Sequence, residues 1–261
     1  MQTEPLQTEQ VAFEKRGAVG ILTLQRPEVR NAISAQMAEA IESVVNHCEN
    51  DPEIRACIIT GSGPVFCAGA DLKEVAQGRG ADLVRPESGF AGFVYARKNK
   101  PWIAAVQGPA HGGGTEIALS CDMIVASRTA NFALPEVKRG IIAGASGAFR
   151  IARFLPPALA IEMVATGRPI DAAKAHAFGM INAIAEPDDV LETAMALALD
   201  IAACSPLSVR ETLAITRRAA RGDESYFRGL ESDAIATVMA GPDCREGAMA
   251  FIEKRAPQWK S

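Results

Sequence analysis

A buried-strand pattern that breaks into three consecutive glycines constrains this chain most. The apolar run Trp102-Ile103-Ala104-Ala105-Val106 is closely followed by His111-Gly112-Gly113-Gly114-Thr115-Glu116, and then by the helical start Glu116-Ile117-Ala118-Leu119. Glycine lets a backbone approach a ligand closely and adopt φ > 0 conformations. The helix start that follows carries unpaired N–H groups and the positive end of a dipole. Such a strand–glycine–helix junction is built to hold a negative oxygen, a phosphate or a developing oxyanion. Glu116 lies within one turn of those donors, so a carboxylate is aimed at the same place.

The rest of the pattern predicts an α/β fold. Residues 11–26 read as two short strands around Gly17-Ala18-Val19-Gly20. Ser34 is placed to cap a helix to about Cys48, with Met37, Ile41, Val44 and Val45 at helical spacing. Arg55-Ala56-Cys57-Ile58-Ile59-Thr60-Gly61 and Met123-Ile124-Val125-Ala126-Ser127 read as further strands. Residues 67–95 are rich in glycine and proline with little periodicity, which predicts a mobile loop holding a short helix. Beyond residue 145 the pattern turns helical, except for a strand at Ile181-Asn182-Ala183-Ile184. An α/β core over 1–199 with a helical region over 200–261 is therefore expected.

Composition excludes several function classes. A chain of 261 residues, 48% hydrophobic, can bury a substantial core. Its 27 basic and 31 acidic residues leave a net charge of −4, which attracts neither nucleic acid nor an anionic membrane. The opening Met1–Gln10 is polar, lacks a signal-peptide core and is expected to fray. No apolar run approaches the roughly 20 residues of a membrane span. The cysteines (48, 57, 67, 121, 204, 244) show no CxxC spacing and do not cluster with the three histidines. They read as reduced cytoplasmic thiols that mostly fill core, with no metal site expected.

A second loop repeats the logic of the first. Gly61-Ser62-Gly63-Pro64-Val65-Phe66-Cys67-Ala68-Gly69-Ala70-Asp71-Leu72-Lys73-Glu74 follows a strand, with small residues at 68–70 and a helix start near Asp71. Two strand ends, each offering a bare N–H, could form a two-donor oxyanion hole. Glu116 and Glu136, the latter after Pro135, are carboxylates suited to acid–base chemistry beside a polarised carbonyl. Taken singly, each glutamate also fits a dipole-complementing residue at a helix start. A serine-hydrolase reading exists as well. His111-Gly112-Gly113-Gly114 matches an esterase oxyanion motif, and Gly144-Ala145-Ser146-Gly147-Ala148 nearly matches a nucleophile elbow. That reading needs an acid and a histidine after Ser146. The sole histidine there is His176, inside a helical pattern, and no convincing strand precedes Ser146.

Four motifs together resemble the crotonase (enoyl-CoA hydratase/isomerase) superfamily in order and spacing. They are Arg26-Pro27-Glu28-Val29-Arg30-Asn31-Ala32, Ala68-Gly69-Ala70-Asp71-Leu72-Lys73, Gly112-Gly113-Gly114-Thr115-Glu116 and Phe132-Ala133-Leu134-Pro135-Glu136. The resemblance runs to Phe251-Ile252-Glu253-Lys254-Arg255. It implies a spiral of ββα units with a C-terminal helical trimerisation region, assembled as a homotrimer or a dimer of trimers. It implies that the N–H groups of Ala70 and Gly113 hold the thioester oxygen of an acyl-CoA. Glu116 would then activate water for attack at Cβ while Glu136 delivers the proton to Cα. A CoA-ester-binding set of Arg30, Ala68, Asp71, Leu72, Lys73, Gly144 and Lys254 is implied too. Within it, Arg30 and Lys73 point to CoA phosphates and adenine, and Lys254 to a neighbouring subunit's CoA. Coenzyme A belongs to the substrate, and no metal or redox cofactor is implied.

Both glutamates together favour hydration over Δ3-Δ2 isomerisation, which needs the Glu136 position alone, and over a non-catalytic CoA-ester-binding paralogue. One departure stands out: Ala143-Gly144-Ala145-Ser146-Gly147 replaces the family's frequent Pro-Gly-x-Gly-Gly. Gly89-Phe90-Ala91-Gly92-Phe93 and the ending Lys254–Lys260 resemble the crotonobetainyl-CoA hydratase (carnitinyl-CoA dehydratase) branch. A trimethylammonium substrate would favour an aromatic cage, for which the chain holds only two Trp, two Tyr and ten Phe.

Overall fold

The computed structural model describes residues 8–221, 228–229, 232–233, 235–236, 239–255 and 258. The expected fraying at the N-terminus concerns, for residues 1–7, a segment outside the described residues.

β1 (Val11–Arg16) and β2 (Val19–Leu24) form the expected antiparallel hairpin. Ser34 Oγ accepts the Met37 N–H (3.1 Å) and caps α1 (Ala35–Asn50), which buries Met37, Ile41, Val44 and Val45. β3 (Ala56–Gly61) then pairs parallel with β2. After α2 (Leu72–Ala76) and the two-residue strands β4 (Val84–Arg85) and β5 (Gly89–Phe90) comes β6 (Trp102–Val106), parallel to β3. The glycine junction forms β7 (Ala110–His111) and α3 (Gly113–Leu119). Beyond it follow β8 (Met123–Ser127), β9 (Asn131–Ala133), α4 (Gly147–Phe154) and α5 (Pro157–Thr166). β10 (Ile170–Asp171), α6 (Ala172–Ala177), β11 (Ala183–Ala185), α7 (Val190–Ala202) and α8 (Pro206–Arg221) complete this part.

The main sheet has the order β1-β2-β3-β6-β8-β11 and is parallel after its first pair. Both faces are covered, which is why its inner strands read as continuous apolar runs rather than alternating ones. Ile58, Ile103, Ala105 and Val125 pack on one face with Val190, Ala194 and Ala198 of α7. Cys57, Ile59, Ala104 and Val106 face the larger core that holds α1, α3 and Trp102. Cys48, Cys57, Cys67 and Cys121 are buried free thiols, while Cys204 is exposed and Cys244 half-buried. Burial pushes the thiols of Cys67 and Cys121 up to about 12, so neither is a nucleophile.

A second sheet, β10-β9-β7, carries the glycine junction and was invisible to pattern reading because its strands are two or three residues long. The 67–95 segment also departs from expectation: it is folded rather than loose. It contains α2, a 3-10 turn over Gly80–Leu83 and the β4–β5 pair. Leu83, Ala91 and Phe93 within it are buried. The anchor is Glu42 of α1, which accepts from Arg85 Nε (2.9 Å) and from Ser88 Oγ.

α8 is tied back to the core through one arginine. Arg217 Nε and Nη2 reach Asp122 Oδ1 and Oδ2 (2.7 and 2.6 Å), and the guanidinium also donates to the Lys98 and Lys100 carbonyls. Side-chain exposures of 14% and 9% mean that water would poorly replace a missing partner. Arg217→Ala is therefore expected to cost about 3 kcal/mol, by analogy with broken buried pairs, measured by denaturant unfolding. A variant as stable as the wild type would show that α8 is held elsewhere. No single described helix is long and apolar enough to cross a membrane.

Candidate active site

The two glycine loops are brought side by side. In the parallel bridge between Ile33 and Ala70, the Gly69 carbonyl accepts the Ile33 N–H (2.8 Å) and the Asp71 N–H donates to Ile33 O (2.9 Å). Ladder geometry therefore turns the Ala70 N–H to the opposite edge. That edge faces the second loop, joined to it by the His111 N–H to Cys67 O bond (3.0 Å). Gly69 (φ +94) makes the approach possible: a Cβ there would stand 2.9 Å from Gly113 N and 3.1 Å from His111 O. Gly113 is the first residue of α3, where N–H groups have no intrahelical acceptor. Among the described residues, neither the Ala70 nor the Gly113 N–H has a hydrogen-bond acceptor.

Both glutamates lie against this junction. Glu136 sits on a 3-10 turn, Pro135–Arg139, that leaves β9. Its carboxylate lies over Gly112 (φ +54), where a Cβ would stand 2.9 Å from Glu136 Oε1. Glu136 Oε2 is buried without a hydrogen-bond partner. Burial accordingly pushes its carboxyl up to about 7. Glu116 is 3% exposed on the first turn of α3. Its Oε1 accepts two backbone amides, from Ala145 N (2.8 Å) and Gly147 N (2.9 Å). The two carboxylates thus flank Gly113 in different environments, one held by two amides and one with an orphaned oxygen in apolar surroundings.

Two contributors escaped the sequence reading. Thr115 Oγ1 stands 2.6 and 2.9 Å from the Ala110 and Ala133 carbonyls, its single proton shared between them, and so clamps α3 onto β7 and β9 and fixes one glutamate relative to the other. Its place between Gly114 and Glu116 was the available signal. The departing loop Ala143–Gly147 supplies the amides that grip Glu116. Ser146 there adopts φ +84 with its side chain buried. Gly147 leaves room for the carboxylate: a Cβ there would stand 2.8 Å from Glu116 Oε1 and 2.9 Å from Leu134 Cδ2 and force these side chains to shift.

The other expected residues are placed differently from one another. The Asp71 carboxylate is engaged within the protein, capping α2 through Lys73 N (3.0 Å) and meeting Arg26 Nη1 (3.1 Å). Asn31, fully buried, holds the Ser62, Val65 and Phe66 carbonyls (2.9, 2.8 and 3.1 Å) and so shapes the first loop. Arg30, Ala68 and Lys73 are exposed and Leu72 half-buried around that loop, with Arg30 O receiving the Ala68 N–H (3.0 Å). Gly144 is covered by Ile235, whose Cδ1 would stand 2.5 Å from a Cβ there. Lys254 lies apart from these loops. With Lys138, Arg139, Arg255 and Phe251 it lines a pocket of about 300 Å³ between the Glu136-bearing turn and the C-terminal helix Pro242–Ile252.

The serine-hydrolase arrangement finds no support in these positions. Ser146 is a buried cap residue before α4, and His176 Nδ1 is bound to the Ile181 carbonyl (2.8 Å).

Comparison with known proteins agrees with this geometry. The family model described as enoyl-CoA hydratase/isomerase matches residues 14–261. A probable enoyl-CoA hydratase of Mycobacterium bovis is 39% identical over 251 residues, covering 96% of this chain and 98% of that one. A carnitinyl-CoA dehydratase of Salmonella arizonae is 39% identical over 259 residues, with coverages of 97% and 99%. Among solved structures, a carnitinyl-CoA hydratase from Mycobacterium avium superposes with a TM-score of 0.90 at 41% identity, covering 97% of this chain and 99% of that one. An enoyl-CoA hydratase from Mycobacterium tuberculosis gives 0.79 at 38% identity, with the same coverages. With the crotonase fold, the paired glycine loops and the two glutamates in place, the chain belongs to the enoyl-CoA hydratase/isomerase family.

Proposed function

We propose that the protein adds water across the Cα=Cβ bond of a 2-enoyl-CoA thioester. The observation that carries this reading is the unequal pair of buried carboxylates flanking an unpaired backbone donor. In the proposed reaction the Ala70 and Gly113 N–H groups hold the thioester oxygen and stabilise the enolate that forms as water attacks Cβ. One such donor is worth roughly 10²–10³ in rate. Glu116, fixed by the Ala145 and Gly147 amides, takes the proton of the attacking water. Glu136, whose buried carboxyl retains its proton to about pH 7, delivers it to Cα. Hydration is redox-neutral: a C–O and a C–H bond form as the C=C π bond and one O–H bond of water break, which calls for no cofactor beyond the CoA carried by the substrate.

The phosphates of that CoA require cations against a net charge of −4. Arg30 and Lys73 at the rim of the first loop supply them, while Lys254, in the pocket it lines with Lys138 and Arg139, is placed for the CoA of a neighbouring copy. Large apolar side chains stand exposed at Ile161, Leu199, Leu207 and Ile215. They fit burial between copies of the chain, as a homotrimer or a dimer of trimers. Four buried free thiols suit a reducing cytoplasm.

The protonation states give a test with a definite sign. Hydration consumes no net proton, so the equilibrium constant is independent of pH and both directions must share one kcat/KM profile. Each direction needs a single proton on the glutamate pair. We expect kcat/KM for crotonyl-CoA hydration and for 3-hydroxybutanoyl-CoA dehydration to fall together above about pH 7, where Glu136 ionises. Profiles flat to pH 9 would remove Glu136 as the proton donor. The amide cradle makes a second prediction: Gly147→Ala should lower turnover about 10²-fold with the fold retained, because its Cβ displaces the Glu116 carboxylate. Steady-state assay beside circular dichroism checks it, and unchanged turnover would show that the cradle does not matter.

A further inference from the structure

Beside the donor at Gly113 stands an aromatic ring that the proposed reaction does not use. A Cβ built on Gly113 would overlap Phe90 Cε1 and stand 2.6 Å from Cζ and 3.3 Å from Gly69 Cα. The ring edge therefore packs on the bare face of this glycine, where the two loops approach each other. Phe90 is 7% exposed, so it belongs to the packed interior while bordering the site.

The turn that carries Phe90 is built to hold it there. Gly89, Ala91 and Gly92 have φ of +70°, +59° and +63°. The Ala91 N–H is bound to Leu83 O (2.9 Å) and the Tyr95 N–H to Ser88 O (2.8 Å). Gly92 lies flat on α1, where a Cβ would overlap the Ala38 carbonyl and stand 2.7 Å from Glu42 Cβ. Glu42 fixes the same turn from below through Arg85 and Ser88. Ring and platform thus have little room to retreat.

This placement has a consequence for the acyl group. An oxygen held by the Gly113 N–H belongs to the thioester carbon, and the next carbon is Cα. Space beside Gly113 is filled by the Phe90 edge, so an extra group on Cα would have to displace it. We propose that Phe90 sets acyl specificity, admitting 2-enoyl-CoA thioesters with hydrogen at Cα and rejecting those branched there. The inference rests on the reading of this site as an enoyl-CoA hydratase.

The test compares crotonyl-CoA with 2-methylcrotonyl-CoA in the full-length wild type, Phe90→Leu and Phe90→Ala, read as the branched-to-unbranched ratio of kcat/KM. In parallel, calorimetry compares binding of the saturated esters 2-methylbutanoyl-CoA and butanoyl-CoA. A methyl group in a fitted pocket is worth about tenfold or more. Both ratios should therefore rise by about tenfold in Phe90→Ala and by less in Phe90→Leu. Should the alanine variant fail to fold, the leucine variant, which keeps an apolar side chain in the same place, decides. Ratios within about twofold of wild type in every folded variant would overturn the proposal while leaving hydration intact. A wild type that hydrates neither ester, yet whose binding ratio shifts in the variants, would support Phe90 as the wall and overturn the hydratase reading instead.

Discussion

Glu136→Gln is expected to lower the hydration of crotonyl-CoA by about 10²–10⁴, the usual range for a positioned acid or base. Glutamine matches the shape of the protonated carboxyl but cannot hand a proton to Cα. The same change should leave the protein at least as stable, and the sign follows from burial. Because the folded-state carboxyl titrates at about 7 rather than the ordinary 4.5, this group makes the fold lose stability as pH rises from about 4.5 through about 7. Glutamine has no such ionisation, so at pH 8 the variant's unfolding free energy should match or exceed that of the wild type, by up to about 1–3 kcal/mol, read by denaturant unfolding. Lost turnover with retained stability separates a chemical role from a structural one. Near-normal turnover would take Glu136 out of the reaction.

Glu116→Gln should cost a comparable factor, about 10²–10⁴, for a different reason. Its side-chain oxygen can still accept the Ala145 and Gly147 amides that now hold Oε1, so the cradle survives while the base that activates water is gone. The variant also separates two chemistries of the family. Isomerisation of a 3-enoyl-CoA moves a proton within the substrate and needs Glu136 alone. It should persist in Glu116→Gln, whereas hydration collapses. If the wild type isomerised efficiently and hydrated poorly, and the variant kept that isomerase activity, the hydratase reading would fall. The doubly substituted protein should lose much less than the product of the single effects, since two residues serving one transition state act as a unit.

Much of this architecture was legible because its signals are local. A continuous apolar run ending in glycines marked β6 and the helix α3, which begins at Gly113 rather than at Glu116, and Ser34 marked the start of α1 within one residue. The four motifs foretold the family, and the structure sets Ala70, Gly113, Glu116 and Glu136 around one junction. What stayed hidden depends on contacts distant in sequence. The 67–95 segment read as loose because its glycines break periodicity. Its order comes from Glu42, more than forty residues upstream, and from the burial of Ala91 and Phe93. Strands β7, β9 and β10 are too short to show a period of two, and their pairing joins segments that lie far apart in sequence, with Thr115 adding a link between β7 and β9.

The site shows the same division. Ala143–Gly147 looked like a departure from the family's glycine pattern, and the backbone amides it contributes to Glu116 cannot be inferred from side-chain identity. Asp71 looked like a ligand-facing acid, yet its carboxylate is occupied by Arg26 and the start of α2. Phe90 drew notice as part of a motif, but its contact with Gly113 joins residues whose elements meet only in the folded chain.

The central claim is that solvent water adds at Cβ, and the most direct measurement mixes the wild-type protein with crotonyl-CoA in water enriched in oxygen-18. We predict that the conjugated enoyl-thioester absorbance decays to equilibrium and that mass spectrometry finds one heavy oxygen in the C3 hydroxyl of intact 3-hydroxybutanoyl-CoA. Crotonyl-CoA that binds but persists, a double bond that migrates without taking up solvent oxygen, or label recovered in a free carboxylate with release of CoA would each contradict the account.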